Sequence, residues 1–138
     1  MLNIAYVESI DEELGKIIGV EFNKFADQNG INCNYVPFTF VAKENSEITG
    51  IITGHSYYNE VHITDLIVYE QHRNKHIGSK LIETVENHHK QGNFENITVS
   101  TYHFQAPDFY KKCGFQIEFI RENKENPKLS KYFFIKYF

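Results

Sequence analysis

Between an apolar run that ends near Tyr69 and a helical pattern that begins near His76 lies a polar turn, Arg73-Asn74-Lys75-His76-Ile77-Gly78-Ser79. A chain that passes from a strand through a turn into a helix N-terminus collects backbone N–H groups with no internal acceptor. With the positive end of the helix dipole behind them, those donors suit a phosphate or pyrophosphate. Gly78 has no Cβ, so an anion can come close to the backbone there. The chain contains no G-x-x-x-x-G-K-[ST] and no G-x-G-x-x-G, which excludes the Walker and dinucleotide fingerprints. Its two cysteines, Cys33 and Cys113, form no C-x-x-C, and no His/Cys/Asp/Glu set has ligand spacing, so no metal is expected.

Two segments carry a resemblance to a known family. The turn resembles the [R/Q]-x-x-G-x-[G/A] acetyl-CoA loop of the GNAT N-acetyltransferases: Arg73 and Gly78 match, while His76 stands where the first glycine is expected. Further on, His103-Phe104-Gln105-Ala106-Pro107-Asp108-Phe109-Tyr110-Lys111-Lys112-Cys113-Gly114-Phe115 is similar to the family's N-x-x-A-x-x-[F/L]-Y-x-x-x-G-F. There Ala106, Phe109, Tyr110, Gly114 and Phe115 match, and His103 replaces the asparagine.

The resemblance implies a mechanism in which an amine attacks the thioester of acetyl-CoA. Backbone groups of Leu66, Ile67 and Val68 would serve the pantetheine arm and the thioester oxygen. Arg73, Asn74, Lys75, His76, Ile77, Gly78 and Ser79 would cradle the pyrophosphate, and His103 could contact the pantetheine or the substrate. Tyr110 would be the acid for the departing thiolate. The family places its proton acceptor nine or eleven residues before the motif arginine, at Thr64 and His62 here. Threonine cannot act as a base, whereas histidine titrates near neutrality. His62 is therefore the candidate, with Glu60 on the same face of a regular strand, Asp65 on the other, and water as the alternative acceptor.

Elements must hold these groups in place. Asn3 to Val7 reads as a strand, and Ser9 with Glu12 as a capping box for a helix carrying Leu14, Ile17, Ile18, Phe22 and Phe25 at helical spacing. Asn29-Gly30 ends that helix. Phe38–Ala42 and Ile48–Thr53 read as a hairpin, and Gly54–Asn59 as a second turn region. Glu60–Tyr69 reads as a central strand, followed after the loop by a helix with Ile77, Leu81, Ile82 and Val85 on one face. A strand at 97–101, a short helix behind Pro107, and strands at 115–121 and 131–138 complete the chain. The order β-α-β-β-β-α-β-α-β-β is that of the GNAT fold: one α/β domain over 1–138, a mixed sheet of six to seven strands flanked by helices.

Composition narrows the function classes. A net charge of −4 argues against a nucleic-acid partner and is compatible with a cationic small substrate. No apolar run approaches a membrane span, no signal peptide is read, and free thiols fit a reducing cytoplasm. Phe22, Phe25, Tyr35, Tyr57 and Tyr58 are candidate pocket rings. The expected activity is acetyl transfer from acetyl-CoA to a primary amine, most simply of a small molecule, by a monomer or homodimer. Competing readings are a non-catalytic acyl-CoA-binding regulatory module and a protein acetyltransferase.

Overall fold

The computed structural model describes residues 1–138. Contacts gather the chain into two compact units, residues 1–34 and residues 35–138.

The first unit is built on helix α1 (Glu12–Gln28). Its N-cap is Asp11, whose carboxylate accepts the Leu14 N–H at 2.8 Å. The capping signal thus sits two residues beyond Ser9, because a carboxylate next to Glu12 and Glu13 caps the free N–H groups and adds charge favourable to the helix dipole. At the other end Asn29 Nδ2 donates to Phe25 O, and Gly30 adopts φ +69°, the left-handed stop that glycine tolerates. Residues 3–7 form no strand. A strand exists only through ladder pairing, and this segment has no strand partner.

The second unit holds a six-stranded mixed sheet in the order β1-β2-β3-β4-β6-β5. Its strands are β1 (Val36–Glu44), β2 (Glu47–Tyr57), β3 (Glu60–Val68), β4 (Asn96–Tyr102), β5 (Gln116–Arg121) and β6 (Lys131–Tyr137). Only β3 and β4 pair in parallel; they flank helix α2 (Ile77–His89) in the chain. Helix α3 (Pro107–Lys112) follows β4, with proline in its first turn where no N–H is needed. The β1–β2 turn places Asn45 and Ser46 at φ +50° and +67°, the paired positive angles that suit the twist of a tight hairpin.

The next hairpin is tighter than the sequence suggests. Residues 54–57 continue β2, and the turn is confined to Tyr58-Asn59. Tyr57 therefore faces Glu60, Ser56 faces Val61, and His55 faces His62. Farther along, Gly54 pairs with Ile63 but Thr53 with Asp65, so Thr64 is an extra residue in β3. That bulge shifts the alternation by one. Asp65 and Ile67 consequently lie on the His62 face of the sheet, where a regular strand would have sent Asp65 to the other side.

The opposite face carries the core. Phe38, Ile52, Val61, Ile63, Ile97 and Phe134 from the sheet meet Leu81, Ile82 and Val85 from α2, and Tyr110 and Phe115 join from the α3 region. Fully burying one such side chain stabilises by about 1.5–3 kcal/mol, so this layer fixes α2 and α3 against the sheet. Gly54 is required at the bulge: a Cβ there would lie 2.1 Å from the His62 carbonyl oxygen and 2.5 Å from Phe38 Cζ.

Candidate active site

The site starts where the sheet comes apart. β3 and β4 pair only from Glu60–Asn96 through His62–Thr98. Beyond that point β3 stays on β2 as far as Val68, while β4 stays on β6 as far as Tyr102. A wedge opens between residues 63–68 and 99–102. Its exposed ladder groups can be assigned from alternation. Tyr69 N–H donates to Thr49 O on β2, so the residue before it turns its groups the other way. Val68 O does so, accepting Arg73 Nε at 3.1 Å. Two residues back, Leu66 has the same orientation. Leu66 and Val68 thus direct N–H groups into the wedge, while Ile67 pairs toward β2.

Arg73 bends the chain back onto the end of β3, after a single 3₁₀ turn at Glu70–His72. Asn74 and His76 follow with φ +67° and +62°. His76 is the N-cap of α2 and makes no side-chain capping bond. This left-handed geometry explains why a glycine is expected at this position: it is the residue that reaches αL without steric cost. The first backbone bond of α2 runs from Lys80 N–H to His76 O, so Ile77, Gly78 and Ser79 keep free N–H groups at the mouth of the wedge.

Gly78 has a second reason to be glycine. A Cβ there would stand 3.0 Å from Phe109 Cζ and 3.8 Å from Val68 Cγ2, so its immediate neighbour is a ring of α3 rather than open space for an anion. The same contacts show that Val68, Gly78 and Phe109 converge. Ile77 is buried against the core. Lys75 Nζ lies 3.3 Å from His72 Nδ1 and 3.7 Å from Glu44, at the edge of the loop. Beside Ser79, burial pushes the Cys113 thiol above its usual range, and the Ser79 hydroxyl bonded to it pulls the other way.

Tyr110 is 6% exposed, with its ring against Phe109, Phe115 and Phe134. Burial, with a smaller contribution from Cys113, pushes its phenol up to about 12. The phenol is therefore protonated throughout the neutral range. Its setting is pinned from both sides. Gly114 turns at φ +92°, and Lys136 on β6 spans Glu86 of α2 and the Cys113 carbonyl at 2.6 and 2.8 Å. Gln105 accepts Tyr102 N–H at 2.9 Å, and Ala106 N–H donates to Thr101 Oγ1, which ties the start of α3 to the end of β4.

His62 occupies the apex of the wedge. Its Nδ1 lies 2.8 Å from Thr98 Oγ1 on β4. Burial lowers its pKa, as do the neighbouring His55 and, more weakly, Lys131, so the ring is neutral near pH 7. In the tautomer whose Nδ1–H donates to Thr98 Oγ1, Nε2 carries the free lone pair. His103 directly follows the end of β4, its Nδ1 3.1 Å from the Tyr132 hydroxyl and its ring stacked on that tyrosine.

The fold therefore gathers Leu66, Val68, Arg73 and the first turn of α2 around one opening, with His62 at its closed end, while Tyr110 lies in the core beside Phe109, the ring that meets Gly78. Sequence reasoning missed Thr98 and His55 as partners of His62. Locating the tight turn at Tyr58-Asn59 would have paired His55 with His62. Thr98 had no local signal, because its contact depends on the β3–β4 register.

The sequence model of the acetyltransferase (GNAT) family matches residues 7–115. The chain belongs to this family. Over 81 residues it is 32% identical to blasticidin-S acetyltransferase of Streptomyces morookaense, an alignment covering 57% of this chain and 59% of that protein. Among solved structures, an acetyltransferase from Bacillus cereus ATCC 14579 superposes with a TM-score of 0.76 at 25% identity, covering 97% of this chain and 98% of that one. A protein from Bacillus anthracis str. Ames, solved in complex with acetyl coenzyme A, gives a TM-score of 0.66 at 25% identity, covering 74% of this chain and 62% of that one. No helix is long and apolar enough to cross a membrane.

Proposed function

We propose that this GNAT family member is an acetyl-CoA-dependent N-acetyltransferase that acetylates a primary amine of a small molecule by direct attack in a ternary complex. The observation that carries the reading is the wedge: β3–β4 pairing stops after His62–Thr98, and free N–H groups line the opening and its mouth. A thioester arm can extend an opened sheet edge as a strand would, and a pyrophosphate suits the first turn of α2. Acetyl-CoA supplies the activated acetyl group. In this reading, Ile77, Gly78 and Ser79 bind the pyrophosphate through backbone amides, with Arg73, Asn74, Lys75 and His76 shaping the loop. Leu66 and Val68 hold the arm and the thioester carbonyl oxygen, and the negative charge that develops there is stabilised by fixed N–H dipoles.

His62 accepts the proton lost by the amine, at Nε2, as a neutral ring bonded to Thr98 can do. Tyr110 acts on the leaving sulfur. A phenol pushed to about 12 is a weak acid, so its contribution is a hydrogen bond donated to the thiolate, with solvent completing the protonation. The relation to a blasticidin-S acetyltransferase supports a small-molecule acceptor. The test is acetyl-CoA-dependent thiol release across a panel of primary amines, read alongside thermal unfolding with acetyl-CoA. Turnover with at least one amine is expected. Acetyl-CoA at a hundredfold excess over Kd should add about 2.7 kcal/mol of stability. No thermal shift at millimolar acetyl-CoA would refute the cofactor site, and a shift without turnover on any amine would refute the activity.

A further inference from the structure

His55 is the one ring directly across the ladder from the proposed base. It pairs with His62 in register, and the two centroids are 5.5 Å apart with planes at 50°. His55 itself sits between Tyr35 and Tyr57, at 5.3 and 5.0 Å, so its ring is held by neighbours rather than free to swing away. We infer that His55 is a positioning residue that keeps His62 in its uncharged form, so that Nε2 stays available to the amine proton. The inference rests on the reading of His62 as proton acceptor.

The physical argument is repulsion at a closed corner. His62 has a hydroxyl, not a carboxylate, on Nδ1, so no anionic partner is bonded to it to stabilise an imidazolium. The charged and titratable groups around it are His55 and Tyr57 on β2, Glu60 on its own strand and Lys131 on β6, with Asp65 beyond the bulge. Asp65 is engaged by the Thr53 hydroxyl at 3.1 Å. Protonation of His62 beside a protonated His55 places two like charges on adjacent strands. His55 and Lys131 both act to lower the His62 pKa, in the same direction as burial. The proton balance is simple: the amine N–H bond breaks with its pair left on nitrogen, a new N–H forms at His62 Nε2, and solvent removes it after transfer.

The test uses two substitutions of opposite expected effect in the full chain. His55→Gln removes the neighbouring imidazole, and His55→Lys places a permanent cation there. Two charges at this separation, taken even at the dielectric of water, alter a protonation equilibrium by roughly 3-fold. His55→Gln should move the acid limb of kcat/KM to higher pH, with activity there roughly 3-fold lower or more, and His55→Lys should move it to lower pH. The His62 Cε1–H resonance, titrated by NMR in the absence of substrate, should shift in the same two directions. If that titration is unchanged in both variants, the inference is overturned. If it moves while the kinetic limb does not, His62 is not the base and the catalytic reading fails instead.

Discussion

His76→Gly tests the account of the loop most directly. His76 holds φ +62° and ψ +21° as N-cap of α2 and makes no capping bond. An L-residue in the left-handed region costs roughly 1–2 kcal/mol, which glycine avoids. Glycine loses more backbone freedom on folding, a cost of about 0.5–1 kcal/mol. The difference leaves a stabilisation of about 0.5–1 kcal/mol, since the exposed imidazole gives up no hydrogen bond. For a chain of 138 residues that is a rise in Tm of roughly 2–4 °C. The comparison variant is His76→Ala, which keeps the Cβ and its strain and so should not be more stable than the parent. Both would be measured by urea unfolding and thermal denaturation, each with and without acetyl-CoA. If the alanine and glycine variants have equal midpoints, the left-handed strain is not there. Because the loop is read as binding through amides, His76→Gly should keep the acetyl-CoA-induced shift. Loss of that shift would mean that the imidazole itself contacts the ligand.

Tyr110→Phe keeps the ring packed on Phe115 and Phe134, so the urea midpoint and acetyl-CoA affinity should hold while kcat falls roughly 10²-fold; an unchanged kcat would leave the tyrosine a packing residue. Gly54→Ala should cost more than about 3 kcal/mol, because its Cβ would overlap the His62 carbonyl oxygen at 2.1 Å and the bulge would have to move; a midpoint within 1 kcal/mol of the parent would contradict the register described. Stability should also fall on acidification. His62 and the buried His89 both have lowered pKa values, mainly through burial, so below about 6.5 the unfolded chain takes up protons that the folded chain refuses. Urea midpoints at pH 7.5 and 5.0 should show the loss, and it should be smaller in His89→Leu.

Much of this protein was legible in local signals. The helix stop at Asn29-Gly30, the hairpin that turns between Ala42 and Ile48, the apolar stripe of α2 and the proline that opens α3 each depend on residues close to one another in the chain, and each appears where the sequence places it. The free N–H groups at the start of α2 were legible for the same reason, since helix ends leave them unpaired in any context. Local reading erred where pairing decides. The strand expected at 3–7 found no partner, and the turn expected over 54–59 shrank to two residues when Tyr57 paired with Glu60.

Only the tertiary structure decided the geometry of the corner. The extra residue at Thr64 turned Asp65 onto the His62 face, the tight turn set His55 opposite His62, and the end of β3–β4 pairing freed Leu66 and Val68. Tyr110 acquired its raised pKa from rings on α3 and β6 that lie up to 24 residues away along the chain. Register and divergence are properties of two strands together. A sequence states which residues can form a strand, but the neighbour across the ladder determines where it starts, which way its side chains turn and which of its backbone groups are left unpaired.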